Sequence, residues 1–223
     1  MDANELLERY AAGERFFYFP KLQGINLSGI NLSNVDLSGA NLFDAKLSRA
    51  ILSNANLSEA RLDRAILSKA ILSDAILSRA LLNEAILSEA NLRRAILTGA
   101  ILTGALLSGA ILSGADLYHS NLSGALLRHT DLYHAYLSAA LLEHADLYEA
   151  YLRDADLTGA NLFHANLRSA DLTGANLCCA NLRSANLSGA NLRGANLKGV
   201  NLRSTLICQT TMPDGEISNR DCP

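Results

Sequence analysis

The 223-residue sequence has no tryptophan, three prolines and only 5% aromatic residues. A core organised around large aromatic side chains is therefore excluded. No basic excess exists either: 19 Lys and Arg stand against 22 Asp and Glu, for a net charge of −3. That balance disfavours nonspecific nucleic-acid binding, which relies on neutralising phosphates. The N-terminal "MDANELLERYAAGERFFYFP" carries Asp2, Glu5 and Glu8 and lacks an apolar run of about seven residues, so it does not resemble a secretory signal, and a cytoplasmic chain is expected. The four cysteines, Cys178, Cys179, Cys208 and Cys222, make neither a CxxC pair nor the even spread of a disulfide framework. They read as reduced thiols, with one alternative. Cys208 and Cys222 flank a Pro-Asp-Gly turn, where a disulfide would close a C-terminal loop.

What the sequence does have is a five-residue beat. Every fifth residue from Leu22 to Leu202 is Leu, 37 positions without an exception. Two residues before each, from Ile25 to Val200, 30 of 36 positions are Ala, and the substitutes are Ile25, Ile30, Val35, Ser120, Thr130 and Val200. Thirteen of the 15 glycines stand two residues after a Leu of the series, which points to positive φ at those glycines and to a turn every five residues. An α-helix cannot use this pattern, because five residues advance about 500° and would wrap the Leu row around the whole cylinder. Turns this frequent also leave no room for ordinary strands. A solenoid fits, with Leu and Ala inside and the rest outside.

Charges two residues after Leu measure the coil. From Asp44 to Arg94, a spacing of 20 gives five opposite pairs (Asp44/Arg64, Glu59/Arg79, Arg64/Glu84, Lys69/Glu89, Asp74/Arg94) and one like pair, Arg49/Lys69. A spacing of 15 gives six like pairs and one opposite, and 25 gives three opposite and two like. Stacked coils place equivalent residues about 4.8 Å apart, where like charges repel, so four units per coil are favoured. About nine coils and a rod of roughly 45 Å follow. Residues 40–98 include only Gly-free turns, which are expected to avoid positive φ.

The unit, seen as "ANLSE", "ADLTG", "ANLRS" and "ANLRG", resembles the pentapeptide repeat family over residues 22 to 207. The resemblance implies an all-β solenoid, a right-handed quadrilateral β-helix with Leu as the central inward residue. The stretches "ELLERYAAGERFFYF" and "MPDGEIS" are similar to the ends of cyanobacterial members. The chain divides into an N-terminal capping helix and aromatic cap (1–21), the repeats (22–207) and a C-terminal turn and tail (208–223). In the first part Asp2 or Asn4 caps a helix running to about Ala12, with Leu6, Leu7 and Tyr10 on one side and Gly13 at its end, while Phe16, Phe17 and Phe19 cover the first coil.

A filled Leu and Ala interior leaves no concave pocket, so no enzyme, cofactor or metal is expected. All five histidines, at 119, 129, 134, 144 and 164, occupy the outer turn position, and only His144 and His164 share a ladder, too few for a metal. Tyr148 lies between Arg128 and Arg168 on another ladder, where cation–π stacking is open to it. Arg183, Arg193, Lys198 and Arg203 form a weakly basic end that reads as solvated arginines, and Asn176, Asn181, Asn186, Asn191, Asn196 and Asn201 are expected to stack as amide ladders.

The residue just before Leu faces outward. It is usually Asn or Asp, yet Ile66, Ile86, Leu106 and Leu126 stack on one face, with Ile51, Ile71 and Ile111 also in the series. Contiguous exposed aliphatics mark a protein partner or self-association, so an interaction rod is the first functional reading. β-branched residues also suit strands for their own sake. A second reading, which the resemblance brings, is mimicry of DNA toward a topoisomerase. It wants an acidic stripe, but Ile76 and Ile96 interrupt the row of Asp36, Asp116 and Asp156. The resemblance also admits a regulator of cell differentiation in filamentous cyanobacteria. A membrane span over Ala95 to Ala115, 21 residues without charge, is opposed by the unbroken five-residue phase through both of its ends.

Overall fold

In the computed structural model, which describes residues 1–17 and 19–223, the residue before an inward Leu bridges the residue 20 positions further on from Lys21 to Asn191, the Asn181–Asn201 step excepted. The bridges are all parallel and run from Phe16 with Asp36 to Asn191 with Thr211. Twenty residues are four units, so each coil takes four, the number that the charges favour. The ion pairs follow the same register: Arg64 to Asp44 at 3.0 Å, Lys69 to Glu89 at 3.3 Å, Arg79 to Glu59 at 3.7 Å and Arg94 to Asp74 at 2.7 Å. The fifth expected pair, Arg64 with Glu84, does not form because Arg64 turns to Asp44.

One unit shows why the phase cannot slip. In residues 45–49 the amide of Ala45 donates to Leu42 O at 3.0 Å and closes a turn. Lys46 N reaches back to Ile25 O at 2.8 Å, while Leu47 N and Arg49 N reach forward to Ile66 O at 2.7 Å and Ser68 O at 2.9 Å. Four of five amides are thus satisfied by backbone in a fixed order, as buried backbone requires. A shift of one residue would break all of them.

The turn overrides the expectation for residues 40–98. The third residue of each turn has positive φ there too: Asp44 55°, Arg49 58°, Glu59 58°, Lys69 58° and Arg94 55°. Positive φ at that residue alone defines a type II turn. A side chain in this region costs about 1–2 kcal/mol, yet the intercoil bonds fix the backbone on both sides and leave no alternative. Glycine relieves the strain, and its absence does not change the turn.

The Leu and Ala rows are buried from Leu22 to Leu192. Ser120 and Thr130, in place of Ala, are fully buried and keep their hydroxyls satisfied on Leu117 O at 2.7 Å and Leu107 O at 3.1 Å. Phe17 and Ile207 take the central position before and after the Leu series, both buried.

At the N-terminus, α1 (Ala3–Ala11) starts at Asp2, whose side chain accepts from Glu5 N at 2.9 Å, and ends before Gly13 at φ 96°. Leu6 is buried in the core, Leu7 and Tyr10 pack against it, and the Tyr10 hydroxyl donates to Ser33 O at 2.9 Å. The expected aromatic cap is reduced to Phe17. Phe16 and Phe19 are 60% and 72% exposed, because Phe16 holds an outward position and Phe19 sits on a corner, its ring lying where a Cβ on Gly39 would come within 2.3 Å.

At the other end β1 (Thr210–Thr211) pairs antiparallel with β2 (Ile217–Ser218). The hairpin folds the tail back: Asp221 N donates to Ile207 O at 2.8 Å, Asp221 Oδ2 accepts from Ile207 N at 2.9 Å, and Arg220 Nη2 donates to Leu202 O at 3.0 Å. This return brings Cys208 and Cys222 to a Cα separation of 4.7 Å, and they form a disulfide. The reading of these two as reduced thiols is thereby corrected. Cys178 and Cys179 are free.

Candidate interaction face

The fifth amide of each unit, on the residue after Leu, has no backbone partner and explains the usual Asn or Asp two residues earlier. Asn56 Oδ1 accepts from Ser58 N at 3.1 Å, and Asp116, Asn121, Asp131 and Asp171 do the same for their own units at 2.9 to 3.0 Å. This is an Asx turn, in which a short polar side chain replaces a backbone acceptor. Where the residue is Ile or Leu the acceptor is lost. Among the described residues the amides of Ser68, Ser73, Ser78 and Ser88 make no hydrogen bond to protein.

The substituting aliphatics are in register. Ile66 bridges Ile86, Ile86 bridges Leu106 and Leu106 bridges Leu126, so the four make one unbroken row. Leu126 is 38% exposed and the other three are half-buried. Ile51 and Ile71 bridge each other on the adjacent face, Asn91 follows, and Ile111 comes next. Ile71 and Ile111 are 37% and 39% exposed, while Ile51 is half-buried. The other two faces carry Ile76 bridged to Ile96 and Leu81 bridged to Ile101. Ile66, Ile71, Ile76 and Leu81 therefore girdle one coil on all four sides. The aliphatics form a band with one long row, a shape that a list of positions does not reveal until each is placed modulo 20.

The acidic row on the face of Ile76 runs Asp36, Asn56, Ile76, Ile96, Asp116, Tyr136 and Asp156. Burial works against ionisation of Asp36, but hydrogen bonds from Ser38 N at 2.9 Å and Asn56 Nδ2 at 3.0 Å hold its carboxyl below the usual range. Asp156 is lowered in the same way, against burial, by Thr158, Ser138 and Asn176. These carboxylates are engaged in structural bonds.

The histidines do not assemble a centre. His144 and His164 stack at 5.1 Å with 6° between their rings, His129 Nδ1 lies 3.2 Å from Glu149, and among the described residues no group of three or more His, Cys, Asp or Glu converges. The cation–π stacking open to Tyr148 does not occur: Arg128 pairs with Asp146, and the described cation–π contacts are Arg9 over Phe17, Arg15 over Tyr10 and Arg64 over Phe43. Glu149 instead pushes the Tyr148 phenol upward. Of the expected amide ladders, Asn196 donates to Asn176 and Asn181 to Asn161, each at 2.9 Å. Asn186, Asn191 and Asn201 use their Oδ1 on their own turns.

The family model for pentapeptide repeats matches eight copies along the chain, in segments 17–49, 40–79, 75–114, 110–147, 130–168 and 165–203. The chain belongs to the pentapeptide repeat family. A comparison with curated proteins returns no match. Among solved structures, this pentapeptide repeat protein is similar to HetL of the cyanobacterium Nostoc sp. strain PCC 7120, a pentapeptide repeat protein involved in heterocyst differentiation regulation. The two are 41% identical with a TM-score of 0.77, over 98% of this chain and 100% of HetL. It also matches QnrB1, a plasmid-mediated fluoroquinolone resistance protein, at 20% identity and a TM-score of 0.50, over 84% of this chain and 91% of that one. That second likeness concerns the fold. In this pentapeptide repeat protein no described helix is long and apolar enough to cross a membrane.

Proposed function

We propose that this pentapeptide repeat protein is a non-enzymatic interaction rod that engages a protein partner through Ile66, Ile86, Leu106 and Leu126, with Ile51, Ile71 and Ile111 beside them. The rod is a right-handed quadrilateral β-helix of about nine coils, capped by residues 1–21 and closed by 208–223. The observation that carries this reading is the unbroken aliphatic row at a position where Asn or Asp would satisfy a turn amide. Giving up that bond has no local return beyond the modest side-chain pairing along a ladder, about 0.2–1 kcal/mol. An apolar partner surface offers a larger one.

The test is capture from native extract with the parent and with Ile66→Asn/Ile86→Asn, which restores the Asx acceptor and so keeps the fold. Loss of a partner with unchanged circular dichroism is expected. Equal recovery by both proteins would remove the aliphatic row from the reading. Light scattering on the same pair separates a foreign partner from self-association.

A second reading is regulation of cell differentiation in a filamentous cyanobacterium, favoured by the likeness to HetL over nearly the whole of both chains. Expression in Nostoc with heterocysts counted is its test, and an unchanged count would set it aside. Mimicry of DNA is disfavoured, since Ile76, Ile96 and Tyr136 break the acidic row. Absence of inhibition in a gyrase supercoiling assay is the expected result. A cytoplasmic location belongs to the proposal, and fractionation of cells that express the tagged full chain tests it, recovery outside the cytosolic fraction setting it aside.

A further inference from the structure

We propose that Cys178 and Cys179 form a two-sulfur capture site for trivalent arsenicals. They occupy the two corner positions of one turn, with their Sγ atoms 3.6 Å apart. Cys179 is exposed and Cys178 half-buried. One coil away on either side of Cys179 the corner residue is glycine, Gly159 and Gly199. A Cβ on Gly199 would come 3.1 Å from Cys179 Sγ, so the missing side chain is what leaves room around the sulfur.

The thiols touch yet are held from bonding to each other. Adjacent Cα atoms across a trans peptide are about 3.8 Å apart, below the roughly 4.4–6.8 Å that disulfides span. The turn cannot relax to accommodate the bond. Cys178 N donates to Asn176 Oδ1 at 3.2 Å, Cys179 N to Lys198 O at 2.8 Å and Ala180 N to Leu177 O at 2.9 Å. The contact with Cys179 also pushes the Cys178 thiol up, against the pull of Lys198, which disfavours the exposed thiolate of a peroxide-sensing cysteine.

A pair of thiols 3.6 Å apart suits an acceptor that is soft and needs only two protein sulfurs. Zinc needs four ligands, and among the described residues no third His, Cys, Asp or Glu joins the pair. Trivalent arsenic is thiophilic and completes its shell with a substituent of its own. The reaction balances without an oxidant: an arsonous acid, R–As(OH)2, exchanges two As–O bonds for two As–S bonds. Each thiol proton leaves with a hydroxyl as water, and arsenic stays trivalent.

The test uses the full chain under non-reducing conditions, which leave the Cys208–Cys222 disulfide intact, and phenylarsine oxide as the probe. Intact mass is expected to show one adduct per chain with both free thiols consumed, reversed by 1,2-ethanedithiol and resistant to an excess of monothiol. Cys178→Ser and Cys179→Ser should each weaken retention by about 10²- to 10⁴-fold, the loss that follows when a two-point attachment becomes one-point. Serine occupies many of these corners, and circular dichroism verifies that the variants fold. A parent isolated with Cys178 and Cys179 already bonded, an adduct released by monothiol, or equal retention by the serine variants would each overturn the proposal.

Discussion

Asn56 accepts the amide of Ser58 at 3.1 Å and the Ser58 hydroxyl as well, while its own amide donates to Asp36 at 3.0 Å. Ten residues on, Ile66 gives Ser68 nothing equivalent. Asn56→Ile should therefore lower stability by about 1–3 kcal/mol, the range for stranding a polar partner. Urea unfolding of the variant beside the parent measures it, and an unchanged midpoint would deny the Asx bond its structural part.

Core position decides the cost of truncation. Leu102 is fully buried, whereas Leu202 is only partly so at the end of the stack. Leu102→Ala should cost about 2–5 kcal/mol, and Leu202→Ala clearly less. Because contacts run only between neighbouring coils, unfolding of the first variant is expected to lose its single transition. Circular dichroism and tyrosine fluorescence followed together will reveal that as two curves that do not coincide.

Acid should weaken the rod at identifiable places. Asp36 and Asp156 have carboxyls lowered in the folded state, so their contribution is present above the unfolded value of about 3.9 and is lost as the pH falls through their lower folded values. Asp36→Asn and Asp156→Asn should each flatten the dependence of stability on pH in that acid window. The same slope in parent and variants would place the acid sensitivity elsewhere.

The C-terminal hairpin should depend on its disulfide. The bond closes a separation of 14 residues, worth about 3 kcal/mol by loop entropy. Cys222→Ser is expected to speed hydrogen exchange at the amides of Thr211 and Asp221, which are bonded to Ala190 O and Ile207 O, while leaving those of the middle coils unchanged.

The interior could be read from the sequence because the fold gives Leu and Ala no freedom: a coil that bonds at 20 residues repeats its inside every five. Charges at the corners were informative for the same reason, since Asp44 and Arg64 meet only in that register. The corner backbone was not legible. Arg49 and Lys69 adopt a conformation that glycine marks but does not own, and the penalty is borne by the ladder around them. The Cys208–Cys222 bond could not be deduced because it depends on how β1 and β2 return the tail. Phe16 and Phe19 look alike in sequence to Phe17, and only their place relative to the Leu phase separates outside from inside. At the candidate face the row was visible, whereas the amide that each aliphatic leaves bare required the turn geometry.

The register of 20 makes the rod behave like a combination lock. Removing one unit turns everything downstream by a quarter of the circumference, with the interior undisturbed because every unit offers the same Leu and Ala. Deleting residues 90–94 would bring Ile111 and Asp131 into line with Ile86 in place of Leu106 and Leu126. Only losses or gains of whole coils return the outer rows to alignment, so a lineage can rewrite the whole surface by a five-residue step that the fold itself scarcely registers.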